Sequence, residues 1–454
     1  MCPPAVHPFL QNEYSHVFAL SRFANLPGEL SKASLHVGII DDSGDTPYCK
    51  HCSYLAATCI TWRHEMSYRQ RMDITFSHRA ALAIIRAQRM RRATCGRTDA
   101  RRQSFATSDT PPVPSALPSG QTIRRSRWSR TLVIECLCRA GLTSDDAREL
   151  FSLEHVDVLK RKGVRRTRVS GCRSWDDRSG VALPEGISTS TAPHVLAQLA
   201  ELMPLPALMC VAAELMGAYA LPPLAPPVGT ARGSTTFGVE ALVTKAELLH
   251  ELAMHAPLPA TLRALRAVVF AGERAWSPQE ALLATMLALP GDRGGYELGP
   301  LTLNARVMTG IGNAMTCASR VPDILLACKT VGINYDGWGH FGIMELERAA
   351  VGLGQDPGSD QRAHELAVQR RALREKYVDD RRRDRELLVA GVETLVATSE
   401  DLRDVSTLDL LVRQLIVRAE AAGGQRMARQ RALLESESLA HRRAEVLASL
   451  RTLT

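Results

Sequence analysis

Apolar and polar positions change their spacing several times along the chain, and each change marks an element. In "DITFSHRAALAIIRAQRMRR" (73–92), Ala81, Leu82, Ile85 and Met90 recur at near-helical intervals behind Ser77, a suitable cap, so a helix is expected there. "TLVIECLCRAG" (131–141) is a short apolar element, and "TSDDARELF" (143–151) opens a helix capped by Thr143 or Ser144. "RRTRVSGCRSW" (165–175) reads as strand with intervening turns. The stretch 192–221 reads as helix broken at Pro204 and Pro206. A helical array follows from Val239 to Val269.

The C-terminal part has sharper punctuation. In "WSPQEALLATMLALPG" (276–291), Ser277 as cap, Pro278 at the first helical position and Glu280 three residues after the cap form a capping box. "GGYELGPLTLNARV" (294–307) turns into an extended segment. "RVPDILLACKTVGINYDG" (320–337) has two apolar arms and a turn near Lys329–Thr330, the pattern of a β-hairpin. A charged helix is expected over 360–390, ended by Gly391, with a strand at 392–398. From 406 the chain is helical and rich in Leu, Arg and Glu, with a break at Gly423–Gly424. Proline-rich stretches at 107–120 and 222–234 read as linkers.

Composition narrows the classes. The chain has 454 residues, 45% apolar and 5% aromatic, enough for several cores and weighted towards helix. It contains no apolar run long enough for a membrane span, and its first residues lack the basic lead and apolar centre of a secretion signal. A cytoplasmic location without a membrane partner is expected. The eleven cysteines show no disulfide framework, which suits a reducing compartment. One local group, Cys49, Cys52, Cys59 and His64, has a loose zinc-knuckle spacing.

The formal charge of +8 is concentrated in arginine clusters at 86–92, 124–130 and 160–168. Such clusters suit a polyanion such as DNA, because guanidinium forks match phosphate oxygens; they also serve as ordinary solvated surface.

The hairpin supplies the candidate chemistry. A turn near 329–330 sets Asp323 across from the 334–336 region, with Asn334 and Asp336 on one face of the second arm. Opposed carboxylates repel unless a cation lies between them, and oxygen ligands suit a hard divalent ion such as Mg2+. Asp323, Asp336 and Asn334 are the candidate metal ligands. His340, just past Gly337, is placed to act on the nucleophile or the leaving oxygen.

In their order these residues resemble the restriction-endonuclease-like (PD-(D/E)XK) superfamily, and within it the branch of very-short-patch-repair endonucleases and related bacterial proteins. Pro322–Asp323 is similar to the first acid block, Asp336–Gly337 with His340 to the second, and Glu280 to the acid on the first helix. Asp380, Arg383, Leu387 and Gly391 are similar to the Asp-x-x-Arg-x-x-x-Leu-x-x-x-Gly helix that follows. The resemblance covers about 275–402 and implies an α/β nuclease fold, Mg2+, DNA as substrate and a catalytic set of Asp323, Asp336, His340, Glu280 and Arg383. It also implies a departure: Asn334 stands where the family places a metal-binding glutamate.

Each residue also has a plainer reading. Glu280 is explained by capping, Asp380 and Arg383 by a surface ion pair, and Asp336–Gly337 by a turn.

A looser likeness links the N-terminal half to abortive-infection antitoxin-like proteins with a winged-helix start. The expected architecture is an α-rich α/β protein. It comprises an extension at 1–72, a basic, mostly helical region with winged-helix-like elements at 73–230, and a helical connector at 231–274. An endonuclease-like module with a small mixed sheet flanked by helices follows at 275–402, then a helical tail at 403–454 offering a docking surface for a protein partner. The functional alternatives are a metal-dependent DNA endonuclease and a nuclease scaffold that binds DNA or regulates without cutting.

Overall fold

The computed structural model describes residues 74–95, 130–152, 158–159, 180–183, 187–230, 233–255, 258–309, 318–336, 359–423 and 426–453, all within one unit spanning 72–454. The cysteine group at 49–64, the linker at 107–120, the stretch 165–175, Gly337 and His340 lie outside the described residues. So does most of the two basic clusters at 124–130 and 160–168.

The first half opens with β1 (Ile74–Phe76) and α1 (His78–Cys95). Ser77 precedes this helix as expected, and its carbonyl accepts from Ala81. Its hydroxyl turns instead to Nδ1 of His78, at 3.0 Å. The apolar element at 131 is helical: α2 (Arg130–Arg139) is followed by α3 (Ser144–Ser152). Gly141 in the connecting turn has φ +120°, a conformation natural to glycine. Thr143 is the cap of α3, accepting from the N–H of Asp146 at 3.1 Å. Asp145 and Asp146 in the first turn of α3 complement the positive end of the helix dipole.

Then come β2 (Val158–Leu159), β3 (Gly180–Ala182) and β4 (Ile187–Ser190). They form a mixed sheet in the order β2-β1-β4-β3, with only β1 and β4 parallel. The next helices are α4 (Ala192–Leu199) and α5 (Leu205–Leu215), parted at Pro204 and Pro206 as the sequence requires. After the β5 (Tyr219–Ala220) and β6 (Thr236–Phe237) ribbon stand α6 (Lys245–Ala253) and α7 (Pro259–Phe270).

The second half begins with α8 (Pro278–Ala288) and runs through β7 (Thr302–Leu303), β8 (Val307–Met308), β9 (Ser319–Arg320), β10 (Ile324–Leu325) and β11 (Val331–Asp336). The long α9 (Ser359–Val389) leads to β12 (Glu393–Thr398), and α10 (Val405–Gly423), α11 (Ala428–Glu435) and α12 (Glu437–Arg451) close the chain. The main sheet has the order β12-β11-β10-β7. β10 is antiparallel to both neighbours, whereas β11 and β12 run parallel, joined by α9 as the crossover such a pair needs. The α/β class, rich in helix with small mixed sheets, is what the pattern predicts.

Gly391 ends α9 at φ +83°. The N–H of Gly391 bonds the Leu388 carbonyl and that of Val392 the Leu387 carbonyl, the two bonds of a Schellman cap. Leu387 itself is fully buried against Leu325 and Val392.

Two large apolar cores, besides the small Leu325–Leu387–Val392 cluster, hold the described residues together. One gathers α1 to α7, and includes Leu248, Leu252, Ala267 and Val268 from the stretch read as a connector. The other gathers α8, the main sheet and α10 to α12. Leu408, Leu411, Leu415, Leu434, Leu447 and Leu450 of the C-terminal stretch are buried in this second core. They seal the module from within, while Leu410 and Val417 of the same stretch remain exposed. α5 serves both cores, with Met209 and Ala212 on one side and Cys210 and Ala213 on the other.

Buried arginines stitch the layers. Arg86 on α1 donates through Nε and Nη2 to the Glu214 carboxylate at 2.9 and 2.7 Å, and through Nη1 to the Ala225 carbonyl at 2.6 Å. Arg89 donates to the carbonyls of Glu214 and Gly217 at the C-terminal end of α5. Half of the 86–92 cluster is thus internal; only Arg91 and Arg92 of its four arginines are exposed. The proline-rich 222–230 stretch is no loose linker either, since Leu224, Ala225 and Val228 are buried and its backbone receives Arg86. In the second half, the fully buried Arg443 pairs with Asp409 at 2.8 Å, beside Tyr296.

Candidate functional site

The hairpin forms in the anticipated register. Ile324 pairs with Ile333 and Leu325 with Gly332, so Asp323 stands opposite Asn334. The turn closes through a Leu326 N–H bond to the Val331 carbonyl, with Lys329 at φ +58°. Val331, Ile333 and Tyr335 enter the second core. Strand alternation then turns Gly332, Asn334 and Asp336 to the opposite face, where α9 lies.

Asp323 is fixed from two sides. Its Oδ2 accepts from the Tyr335 N–H at 2.6 Å, and its carbonyl accepts from the Asn304 N–H at 2.9 Å. The second bond prolongs the β7–β10 ladder by one residue beyond the Leu303–Ile324 pair.

Glu280 arrives from the first turn of α8. The Ser277 hydroxyl accepts from the Glu280 N–H at 3.1 Å, as the capping motif predicts. The returning carboxylate takes the N–H of Trp276, at 2.9 Å, rather than that of Ser277. It also accepts from the Ser277 hydroxyl and, at 2.9 Å, from Nδ2 of Asn304. Glu280 is therefore a fully engaged structural carboxylate that also lies within electrostatic reach of Asp323.

Asn304, absent from the sequence-derived set, joins these two acids. It adopts φ +50°, and Nδ2 bridges the Arg274 carbonyl and Glu280. Both partners are acceptors, which fixes the amide orientation and leaves its buried Oδ1 without a hydrogen-bond partner. Asparagine's tolerance of left-handed backbone, directly after a strand, is the one signal that could have singled it out.

Asn334 is almost completely buried. Its Nδ2 donates to Oδ1 of Asp384 on α9 at 2.9 Å, and its own Oδ1 is buried without a hydrogen-bond partner. Asp384 was also missed by the motif, although it lies one helical turn after Asp380 on the face turned towards the sheet. Arg383 lies 3.6 Å from Asp380, the i, i+3 pair anticipated, while its buried Nε has no hydrogen-bond partner. Asp336 ends β11, half-buried.

Burial and the nearby Glu280 charge raise the Asp323 carboxyl to about 7, with a smaller push from Asp336. The Tyr335 N–H and the Arg383 charge oppose this only in part. Burial also raises Glu280, against its three hydrogen bonds. Acid charge thus outweighs basic charge here.

The described residues therefore bring together Asp323, Glu280, Asp336 and Arg383, with Asn334 opposite Asp323. Among the described residues, no group of three or more His, Cys, Asp or Glu side chains is arranged to hold a metal ion. No helix among them is long and apolar enough to cross a membrane. No protein-family model, curated protein or solved structure matches this chain.

Proposed function

We propose that the second half of the chain is a metal-dependent endonuclease-like module that hydrolyses phosphodiesters in DNA. The observation that carries the reading is the pairing of β10 with β11, which sets Asp323 across from Asn334, with Asp336 two residues further along the same face. This acid-rich end has one nearby basic group that acts on Asp323, Arg383.

The donors fit a hard cation, being oxygens throughout. Asp323, Asp336 and the unpartnered Oδ1 of Asn334 would hold Mg2+. Bound there, the ion supplies charge neutralisation at the phosphate and a more acidic water. Arg383 meets the phosphate, Glu280 and Asn304 position Asp323, and the resemblance assigns His340 to the proton on the nucleophile or leaving oxygen. The sheet order β12-β11-β10-β7 with its α9 crossover supports the likeness to the restriction-endonuclease-like superfamily.

One observation favours a second reading, a scaffold that binds DNA or regulates without cutting. Asn334 contributes no charge, and its amide nitrogen is committed to Asp384. Nicking of supercoiled plasmid with Mg2+ or Mn2+, by the full chain and by Asp323→Ala, tests the first reading. Cleavage lost in the variant supports it, whereas a salt-dependent mobility shift without cleavage in the wild type supports the second.

A further inference from the structure

The charges of α9 are sorted between its two sides. At about 100° per residue, Arg370, Arg371, Arg374, Arg381, Arg382 and Arg385 fall within a sector of roughly 120°. All six are exposed. Four of the five acids between residues 370 and 386 bind groups outside the arginine row. Asp379 and Glu386 bind Arg320 at 3.1 and 2.6 Å, Asp380 lies against Arg383, and Asp384 receives Asn334. Glu375, paired with Arg371 at 2.9 Å, and Asp384 flank the arginine row. Arg381 lies over the Tyr377 ring and reaches Asp384 at 3.7 Å. Among the described residues Arg370, Arg374, Arg382 and Arg385 have no ion pair.

This sorting is not needed for packing. These acids satisfy Arg320, Arg383 and Asn334, which docks α9 on the sheet. An outer face of alternating sign would serve solubility as well and would repel itself less. The direction of the helix adds a second argument. As the crossover between parallel strands, α9 runs opposite to β11, and Asp384 lies beside Asn334. Its earlier turns, from Asp380 back to Arg370, therefore continue past the Asp336 end of β11 for about 15 Å. The arginine row spans roughly 22 Å from Arg370 to Arg385, the length of about six base-pair steps.

We propose that this outer face of α9 is a docking surface for the phosphate backbone of duplex DNA, separate from the carboxylate cluster and extending beyond the level of Asp336. The choice of nucleic acid rests on the functional reading above; the surface itself rests on charge complementarity. Guanidinium groups on a rigid helix neutralise successive phosphates and release counterions, so binding weakens steeply with salt.

Fluorescence anisotropy with a labelled duplex, over a series of salt concentrations, tests this on the full chain. The variant R374Q/R381Q/R385Q should bind at least tenfold more weakly, with the slope of log K against log salt reduced by about 0.9 per lost phosphate contact. A charge-matched control, R148Q/R403Q/R429Q, removes exposed arginines elsewhere and should keep the wild-type slope. Equal losses in both variants, an unchanged slope in the first, or a wild type that binds anionic phospholipid vesicles but not duplex would each overturn the proposal. Asp323→Asn separates it from the nuclease reading. Binding without nicking in the wild type defeats that reading alone, and nicking with an unaltered slope in the triple variant defeats this one alone.

Discussion

The main-chain N–H of Tyr335 points at Oδ2 of Asp323 from 2.6 Å, so one strand clamps the acid that heads its neighbour. This clamp is made while burial, Glu280 and Asp336 hold the carboxyl at about 7. A carboxyl raised on folding binds its proton more tightly in the native state than in the unfolded chain. Its contribution to stability is complete below about pH 4 and is lost as pH rises through 7. In chelator, the Asp323 part of the pH dependence should be a decline of roughly 1–3 kcal/mol between about pH 5 and pH 8, set against a rise from the buried His78 and His194, and Asp323→Asn should remove that decline. Urea melts at the two pH values measure it, and an unchanged decline in the variant would show that Asp323 is not the group responsible.

Asn304 ties α8 to β10 while holding φ +50°. Asn304→Ala removes two side-chain bonds and leaves a strained backbone, costing about 2–4 kcal/mol; Asn304→Gly relieves the strain alone and should recover about 1 kcal/mol of it. Chemical denaturation of the three proteins gives the partition. Equal stability of the alanine and glycine variants would argue against strain at this position.

Asn334→Glu sets a second carboxylate against Asp384. Two carboxylates at this distance repel, so the variant should melt below the wild type in chelator and gain more from millimolar Mg2+ than the wild type does. Thermal melts with and without Mg2+ decide it. If the variant gains nothing from the ion, the site does not bind it through residue 334.

Arg86 and Glu214 are both about 99% buried. Arg86→Ala strands the carboxylate and should cost about 3–5 kcal/mol, whereas Arg86→Met with Glu214→Leu should cost clearly less. A double variant as damaged as the single one would mean that packing, rather than the stranded charge, sets the loss.

Gly391 meets nothing within 4 Å of an added Cβ, so Gly391→Ala tests backbone conformation in isolation. A loss near 1 kcal/mol is expected from its φ of +83°. A neutral outcome would show that the helix end relaxes to another cap.

Elements whose signals are local were the readable part. The capped start of α8, the Pro204 break, the hairpin turn at Lys329 and the Gly391 stop all depend on residues within a few positions of one another. What depended on distant partners was hidden. Arg86 looks like surface charge until Glu214, 128 residues away, is placed against it. Asn304 looks like a turn residue until Arg274 and Glu280 converge on its amide. Nothing in the stretch of the tail itself says which of its leucines meet α8 and the sheet, as Leu411 and Leu415 do, and which stay exposed, as Leu410 does. In the candidate site, the order of acids was legible; the commitment of Asn334 to Asp384 was not, because it arises from helix-on-sheet packing.

The double allegiance of α5 limits how this protein can be divided. With Met209 facing one way and Cys210 the other, a cut between the halves strips one of them of a wall, whichever side keeps the helix. Excised alone from residue 275, the second half should emerge aggregation-prone, and the unit spanning 72–454 should melt in one transition. Any inheritance of that half as a free-standing cassette would have required a replacement for this single rod.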